Sequence, residues 1–367
     1  MSESHEENDQ STDDPGDPSQ AGVAESLTEP AVEKQPGPQV PLAASLPPVQ
    51  APNAGFLVQL FLIPMLIVGI VVMVWLTFSW LAHVGSDPHD LVRDLEKLNK
   101  GSWQKALTLS NLLRDRNNDL LKDDSALAQD LVKVLESELE NARMSPERIK
   151  LRFFLCHCLG EFRLVDGIPS LVKAARLERD PAEAEVRLAA IASLAKLTVQ
   201  IGSDRMREHQ QVFDVLDEAS RIREANPSLQ HRNRLPAAAA YALGMIGDAA
   251  SLERLAQLLI DANPSIRFNA ATGLARYGDE RAIPVLLQML DLSNEQALVG
   301  TTTPEEHLQQ RVFLVKNGIE AGRQYARIAG HGPGVSRFAE ALERVIDSNL
   351  PTELRLRAKA ALLELRE

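Results

Sequence analysis

Aromatic residues make up only 4% of this 367-residue sequence, and it holds just two cysteines, Cys156 and Cys158. Two cysteines cannot build a disulfide framework. The shortage of aromatics, with Ala and Leu plentiful, argues against a β-sandwich or barrel and favours helix. A basic excess is missing too: 39 Lys and Arg stand against 51 Asp and Glu, a net charge of −12. A broad nucleic-acid face needs the opposite sign. No HExxH, GxSxG, P-loop or strand-preceded GxGxxG occurs, so no familiar catalytic, metal or cofactor constellation is expected. The run Gly330-His331-Gly332-Pro333-Gly334 looks like a Gly-rich loop, but no strand pattern precedes it, and it reads as a helix-to-helix linker.

The charge is unevenly placed. Residues 1–54 hold ten acids and one base, Lys34, whereas 85–367 hold 41 acids and 38 bases. The same 54 residues contain nine of the 21 prolines and no aromatic ring. Such a segment buries too little apolar surface to offset its ordering entropy. It reads as a disordered acidic tail, with Val32–Pro52 an extended Pro-rich spacer. A solvated leader is the simpler role for it, an interaction tail the sharper one.

Charge is then absent altogether from Gln35 to Ser86. Within that stretch, residues 55–84 read as a transmembrane helix. Leu60–Leu81 spans 22 residues, roughly 33 Å at about 1.5 Å per residue, enough for a hydrocarbon core of about 30 Å. Trp75 and Trp80 sit toward one interface, and Pro64 and Gly69 are tolerable inside a membrane helix. A signal peptide has a basic n-region and a shorter apolar core, and a buried globular helix is rarely apolar on every face. Arg93, Lys97 and Lys100 flank the C-terminal end, and the N-terminal flank has no base within about 20 residues. The positive-inside rule therefore places the chain in the cell membrane as a single-pass protein, with residues 85–367 cytoplasmic and the tail outside. Two free thiols suit a reducing compartment.

The remainder repeats itself. Ser265–Leu290 runs as an apolar–Arg pair (Ile266, Arg267), small residues (Ala270, Ala271), a Gly278–Asp279 turn, then a second helix opening on Ile283–Pro284. Small residues allow close helix packing. Gly278 suits a left-handed C′ position, Asp279 a helix cap, and Pro284 a first turn. The pattern recurs. Leu151–Arg152, Leu159 and Ile168–Pro169 lie 115 residues earlier, and Val186–Arg187 with Leu194 lie 80 earlier. Leu243–Gly244 with Gly247–Asp248 lie 31 earlier, and Leu354–Arg355 with Leu362 lie 88 later. A weaker unit spans Arg311–Glu320, without the apolar–Arg pair. The arginines Arg152, Arg187, Arg267 and Arg355 are expected to form stacking ion pairs between units.

On these residues, above all VRLAAIASL at Val186–Leu194 and IRFNAATGLARYGDERAIPVLLQML at Ile266–Leu290, the units resemble bacterial HEAT repeats of the phycobilisome-lyase type. The resemblance covers roughly Glu147–Leu365. It implies an all-α fold, an α-solenoid of HEAT-like helical hairpins over 146–367. Residues 85–145 are expected to form a helical cap, with helices near Leu91–Leu98, Trp103–Leu113 and Ser125–Leu139. Two stretches depart from the pattern: Met206–Arg234, which begins with an expected helix over Met206–Arg223, and Ser293–Glu306. Long irregular segments often carry specificity.

Cys156-His157-Cys158 invites a metal reading. On a helix, however, the two sulfurs point about 200° apart, and the aligned repeats place mostly small packing residues at these positions: Ile191, Ala240 and Ala271 at the first, Ser193, Ala242 and Gly273 at the second. No metal or cofactor is expected. The leading functional expectation is a membrane-anchored scaffold, bound to the bilayer through 55–84 and to a protein partner through the array, with no nucleic acid. The resemblance supplies an enzymatic alternative, bilin-lyase-like chromophore attachment or a chaperone-like accessory role. Helical-repeat DNA binding is disfavoured by the near-neutral array.

Overall fold

The computed structural model describes residues 54–83, 87–97, 101–141, 143–222, 234–298, 301 and 303–366. Apart from Ala54, the expected tail lies outside the described residues, as do Leu98 and Lys100.

Helix α1 spans Ala54–His83. Its segment Val58–Ser79 is 22 residues long, with mean hydropathy 2.7 and no charged residue. By length and composition it can cross a membrane. Leu60, Pro64, Gly69, Trp75, Trp80 and Leu81 all fall within α1. The large apolar side chains of this segment, including Leu60 and Trp75, are exposed. Among the described residues this window is apolar and unburied, unlike the core helix of a globular protein. Its one internal proline, Pro64, has no N–H for the Leu60 carbonyl. The Thr77 hydroxyl donates to the Met73 carbonyl at 2.7 Å, so the helix's own backbone satisfies it.

The rest is an all-α solenoid, and no strand occurs among the described residues. Its helices are α2 (Pro88–Glu96), α3 (Ser102–Arg114), α4 (Ser125–Asn141), α5 (Pro146–Leu159), α6 (Ile168–Ala175), α7 (Ala184–Ile201), α8 (Ser203–Arg207) and α9 (Gln210–Arg221). They continue with α10 (Arg234–Ile246), α11 (Ala249–Leu258), α12 (Pro264–Ala275), α13 (Ile283–Leu290), α14 (Pro304–Ala329), α15 (Pro333–Ile346) and α16 (Thr352–Glu364). Helices α3, α5, α7, α10, α12, α14 and α16 stack in one layer. Helices α2, α4, α6, α9, α11, α13 and α15 form the other. Residues 87–141 thus continue the two-layer alternation.

Local signals start the helices. Asp87, Asp248, Asn263 and Thr303 each accept a backbone N–H at a helix N-terminus. Thr303 and Glu306 complete a capping box. Pro88, Pro146, Pro169, Pro264, Pro284 and Pro304 all occupy first turns. Asp279 caps the short 3₁₀ turn Glu280–Ala282, from which Ile283 and Pro284 lead into α13. Ile168–Pro169 opens α6 in the same way. Gly247 and Gly278 turn the chain at φ of +62° and +70°. The Tyr277 ring lies where a Cβ on Gly247 would stand. Its hydroxyl donates to the Met245 carbonyl at 3.1 Å, tying α12 to the end of α10.

Small residues set the layer spacing. A Cβ added to Gly244 would lie 2.6 Å from the Cα of Gly273, so α10 and α12 cross backbone to backbone. Gly160 meets Ser193 in the same manner, 2.8 Å from that Cβ. One hydrophobic cluster runs through the array from Val92 to Val335, and a second, around the fully buried Phe338, joins α13 to α16.

The repeat arginines meet the ion-pair expectation only in part: Arg152 pairs with Glu183 ahead of the next unit, whereas Arg267 and Arg355 pair with no carboxylate among the described residues. Across the group the main partners are backbone carbonyls at the end of the preceding helix. Arg187 donates to Ala175 O at 3.2 Å. Arg267 donates to Asp261 O at 2.7 Å and Ala262 O at 3.0 Å. Arg152 reaches Arg143 O at 3.1 Å and Glu138 O at 3.3 Å. A helix C-terminus leaves several carbonyls without partners and carries partial negative charge, and a guanidinium answers both. Arg311 does the same at Asp291 O, 3.2 Å, so the weaker unit keeps its arginine although Gln310 replaces the apolar neighbour. Carboxylates take part as well. Arg152 pairs with Glu183 at 3.1 Å, both fully buried, and Arg187 with Glu178 at 3.2 Å. Arg355 departs from the group and bonds only its own turn, at Thr352.

One helical expectation changes. The single helix expected over Met206–Arg223 is broken into α8 and α9 at His209. A 3₁₀ segment, Arg116–Asp123, stands between α3 and α4, where Asp115 takes the Asn117 N–H at 2.9 Å. Asp and Asn side chains compete there with helical bonding.

Candidate partner-binding cleft

Helix α14 packs less closely on α12 than α12 does on α10. The spacer is the irregular connection after α13. Asp291 accepts from the Ser293 N–H at 3.0 Å and from its hydroxyl at 2.7 Å. Those two bonds hold the Asp291 carboxyl below the usual range. Arg311 clamps the same turn through Asn294 O at 3.1 Å and Glu295 at 2.8 Å. With α14 held off, a cleft of about 520 Å³ opens between α12 and α14.

Its floor is apolar and buried: Met289, Ala297, Leu314 and Ala321. Its walls carry Tyr241, 43% exposed, and Phe313, 66% exposed. Aromatic rings are scarce in this chain, and these two exposed ones share one cavity. Polar amides complete the lining, among them Asn269 on α12 and Gln310, Asn317 and Gln324 on α14. A neighbouring groove of about 550 Å³ continues across α10, α7 and α5 to Phe153 and His157, and shares Ser265 and Asn269 with the cleft.

The charged groups that line these cavities are already engaged. Glu185 pairs with Arg234 at 3.1 Å, Glu320 with Arg323 at 3.1 Å, and Arg276 donates to Gly244 O at 2.7 Å. His157 lies edge-on to Phe153 with ring centres 4.6 Å apart. Burial lowers its pKa, so the imidazole is neutral at pH 7.

Cys156 and Cys158 lie behind this surface, fully buried. Burial pushes the Cys156 thiol up to about 12 and raises Cys158 as well. Cys158 donates weakly to Ala106 O at 3.5 Å. Both stay protonated at neutral pH, and a thiol is neither nucleophile nor metal ligand in that form. Among the described residues no group of three or more His, Cys, Asp or Glu is placed to hold a metal ion.

None of the residues singled out as repeat-structural lines the cleft; they cap, turn and tie the helices instead. Of the two irregular stretches, Ser293–Glu306 contributes Ala297 to the floor. Met206–Arg234 contributes Arg234 to the neighbouring groove, while 223–233 lie outside the described residues. The run Gly330–Gly334 links two helices: Gly330 closes α14 at φ +66° and Gly332 precedes α15. Sequence reasoning missed the cleft residues. A signal was present: Gln310, Asn317 and Gln324 recur every seven positions on α14, and so share one face.

The close α10–α12 crossing and the capped turns on either side of it lie in one stretch of sequence, which a family profile recognises. Residues 230–299 match HEAT repeats. The match takes in α10 to α13, so the cleft's α12 wall is a HEAT helix. It covers less than half the chain. No curated protein matches the chain in sequence. Among solved structures, an engineered protein is 17% identical over 76% of this chain and 78% of its own, at a TM-score of 0.35. Human deoxyhypusine hydroxylase in complex with glycerol is 18% identical over 72% and 96%, at 0.26. A second engineered protein is 15% identical over 76% and 96%, also at 0.26. Likeness at these scores carries no functional argument.

Proposed function

We propose that this chain is a membrane-anchored HEAT-repeat scaffold that holds a protein partner through the face containing the α12–α14 cleft. One combination carries the reading: an uncharged, apolar helix long enough to span a bilayer, in the same chain as a repeat array with an open, aromatic-walled cavity. Stacked helical repeats offer extended surfaces for protein recognition, and tethering raises local concentration. The bilayer contact is α1 within residues 55–84, which follow the tail 1–54 and precede the cap 85–145 and array 146–367. The bases after α1 orient the array to the cytoplasm and the tail outside. The chromophore-attachment alternative has no observation of its own to carry it.

Alkaline carbonate extraction tests the anchor. The full chain is expected to stay in the membrane pellet, and a variant with Leu66, Ile70 and Val74 each changed to Lys is expected in the supernatant. Central charges cost about 2.5–3.5 kcal/mol each by insertion scales. Equal extraction of both chains contradicts the anchor.

A further inference from the structure

We infer that the α12–α14 cleft takes a segment of the partner polypeptide by a carboxylate: an Asp or Glu side chain of that segment pairs with the Arg276 guanidinium, and apolar side chains beside it settle on the cleft floor. The inference rests on the scaffold reading above and specifies its partner.

The first observation is an unmatched charge. Glu185, Arg234, Arg276 and Glu320 are the charged side chains that line the cleft and its neighbouring groove. Glu185 and Arg234 pair with each other at 3.1 Å, and Glu320 pairs with Arg323 at 3.1 Å. Arg276 meets no carboxylate among the described residues. Its Nη1 donates to the neutral Gly244 carbonyl at 2.7 Å, and its Nε and Nη2 have no partner there. The position is half-buried, so a charge brought to it is screened less than one on open surface. A guanidinium presents its N–H groups as a planar fork that fits the two oxygens of one carboxylate. The free Nε and Nη2 make up one edge of that fork.

The second observation is what surrounds this charge. Met289, Leu314 and Ala321 form a buried apolar floor, and the exposed rings of Tyr241 and Phe313 stand in the walls. Aliphatic or aromatic side chains flanking the carboxylate lose apolar contact with water against these groups. Asn317 has no partner among the described residues. Asn269 spends its NH₂ on Ala237 O at 3.0 Å and keeps its oxygen free. Both amides suit a main chain, which carries donors and acceptors alike.

A polypeptide brings carboxylate, apolar side chains and main-chain amides on one chain. A nucleic acid brings a charge at every residue, and the lining holds no row of bases to meet it. A fatty acid offers nothing to the two amides.

The test pans a phage-displayed random 12-residue peptide library on the full chain in phosphatidylcholine nanodiscs. Enriched peptides are expected to share an acidic position flanked by aliphatic or aromatic residues. Synthetic copies, and copies with that acid replaced by its amide, are then titrated by fluorescence anisotropy. Arg276→Gln removes the charge and retains an N–H donor. Against the acidic peptide it is expected to lose about tenfold in affinity, and the amide peptide is expected to lose as much on the unaltered chain. On Arg276→Gln the two peptides are expected to bind alike, which a merely structural loss would not produce, because it would weaken both. Phe313→Ser, at an exposed ring, is expected to weaken both peptides with unchanged circular dichroism. Peptides that Phe313→Ser weakens but that share no acid, or that bind Arg276→Gln as well as the unaltered chain, overturn the carboxylate and leave the scaffold reading standing. Binding that neither variant disturbs, or no enrichment at all, overturns the scaffold reading at this cleft together with the inference.

Discussion

Glu183→Ala destabilises the array by about 3–5 kcal/mol, the cost of stranding a buried charge. Glu183 is fully buried and accepts from Arg152 at 3.1 Å and from Arg179 at 2.7 Å and 3.1 Å. Arg179 is partly exposed and can turn to water. Arg152 cannot. Its guanidinium is fully enclosed, its Nε has no partner, and burial already disfavours its charged form. Without Glu183 its bonds go only to the neutral Glu138 and Arg143 carbonyls and the Met144 sulfur. Replacing both ions, as Arg152→Met with Glu183→Leu, restores much of the loss, because the desolvation cost goes with the charges. Urea unfolding of the detergent-solubilised chain, followed by helical circular dichroism, measures both. If the double variant is as unstable as the sum of the two single ones, the pair is not coupled as described.

Gly244→Val is the other severe change. The nearest atom to the new Cβ is the Gly273 Cα, 2.6 Å away, and backbone cannot rotate out of the way. Helices α10 and α12 must separate, which opens the core around Ala240, Ala271 and Leu274 and breaks the Arg276 bond to the Gly244 carbonyl. A loss of about 3 kcal/mol is expected, at the upper end for overpacking. Ala192→Val, on the exposed face of α7, adds comparable bulk and is expected to stay within about 0.5 kcal/mol. The same unfolding measurement compares them, and equal stability of the two variants contradicts the backbone crossing.

These two sites also show what a sequence discloses. Gly244, Ala270, Ala271 and Gly273 declare close packing by being small, and their eight-residue companions give the repeat. Asp248, Asp279 and Pro284 are legible because capping and first turns follow local rules. The arginines were legible as structural but not in their partners. Whether Arg267 meets a carboxylate or the Asp261 carbonyl depends on how the previous helix ends in space. The 3₁₀ segment after α3 follows from competing side-chain bonds too local to leave a periodic trace, and the break between α8 and α9 at His209 left none either. The cleft was not read. It exists because α14 stands off α12, and that displacement comes from the packing of the Asp291–Ala297 turn under Arg311. Tyr241 and Phe313 carry no mark of their own until two helices bring them to one cavity.

The central claim is that an anchored array meets its partner at this cleft. Photo-crosslinking tests it most directly, with a benzophenone amino acid installed at Phe313, or at Ile260, which is 90% exposed and outside the cleft. The full chain is irradiated in its native membranes. A discrete adduct from position 313 in the membrane fraction is expected, lost when Asn317→Leu is added, with none from position 260. Adducts of equal yield from both positions, or none from 313, contradict it.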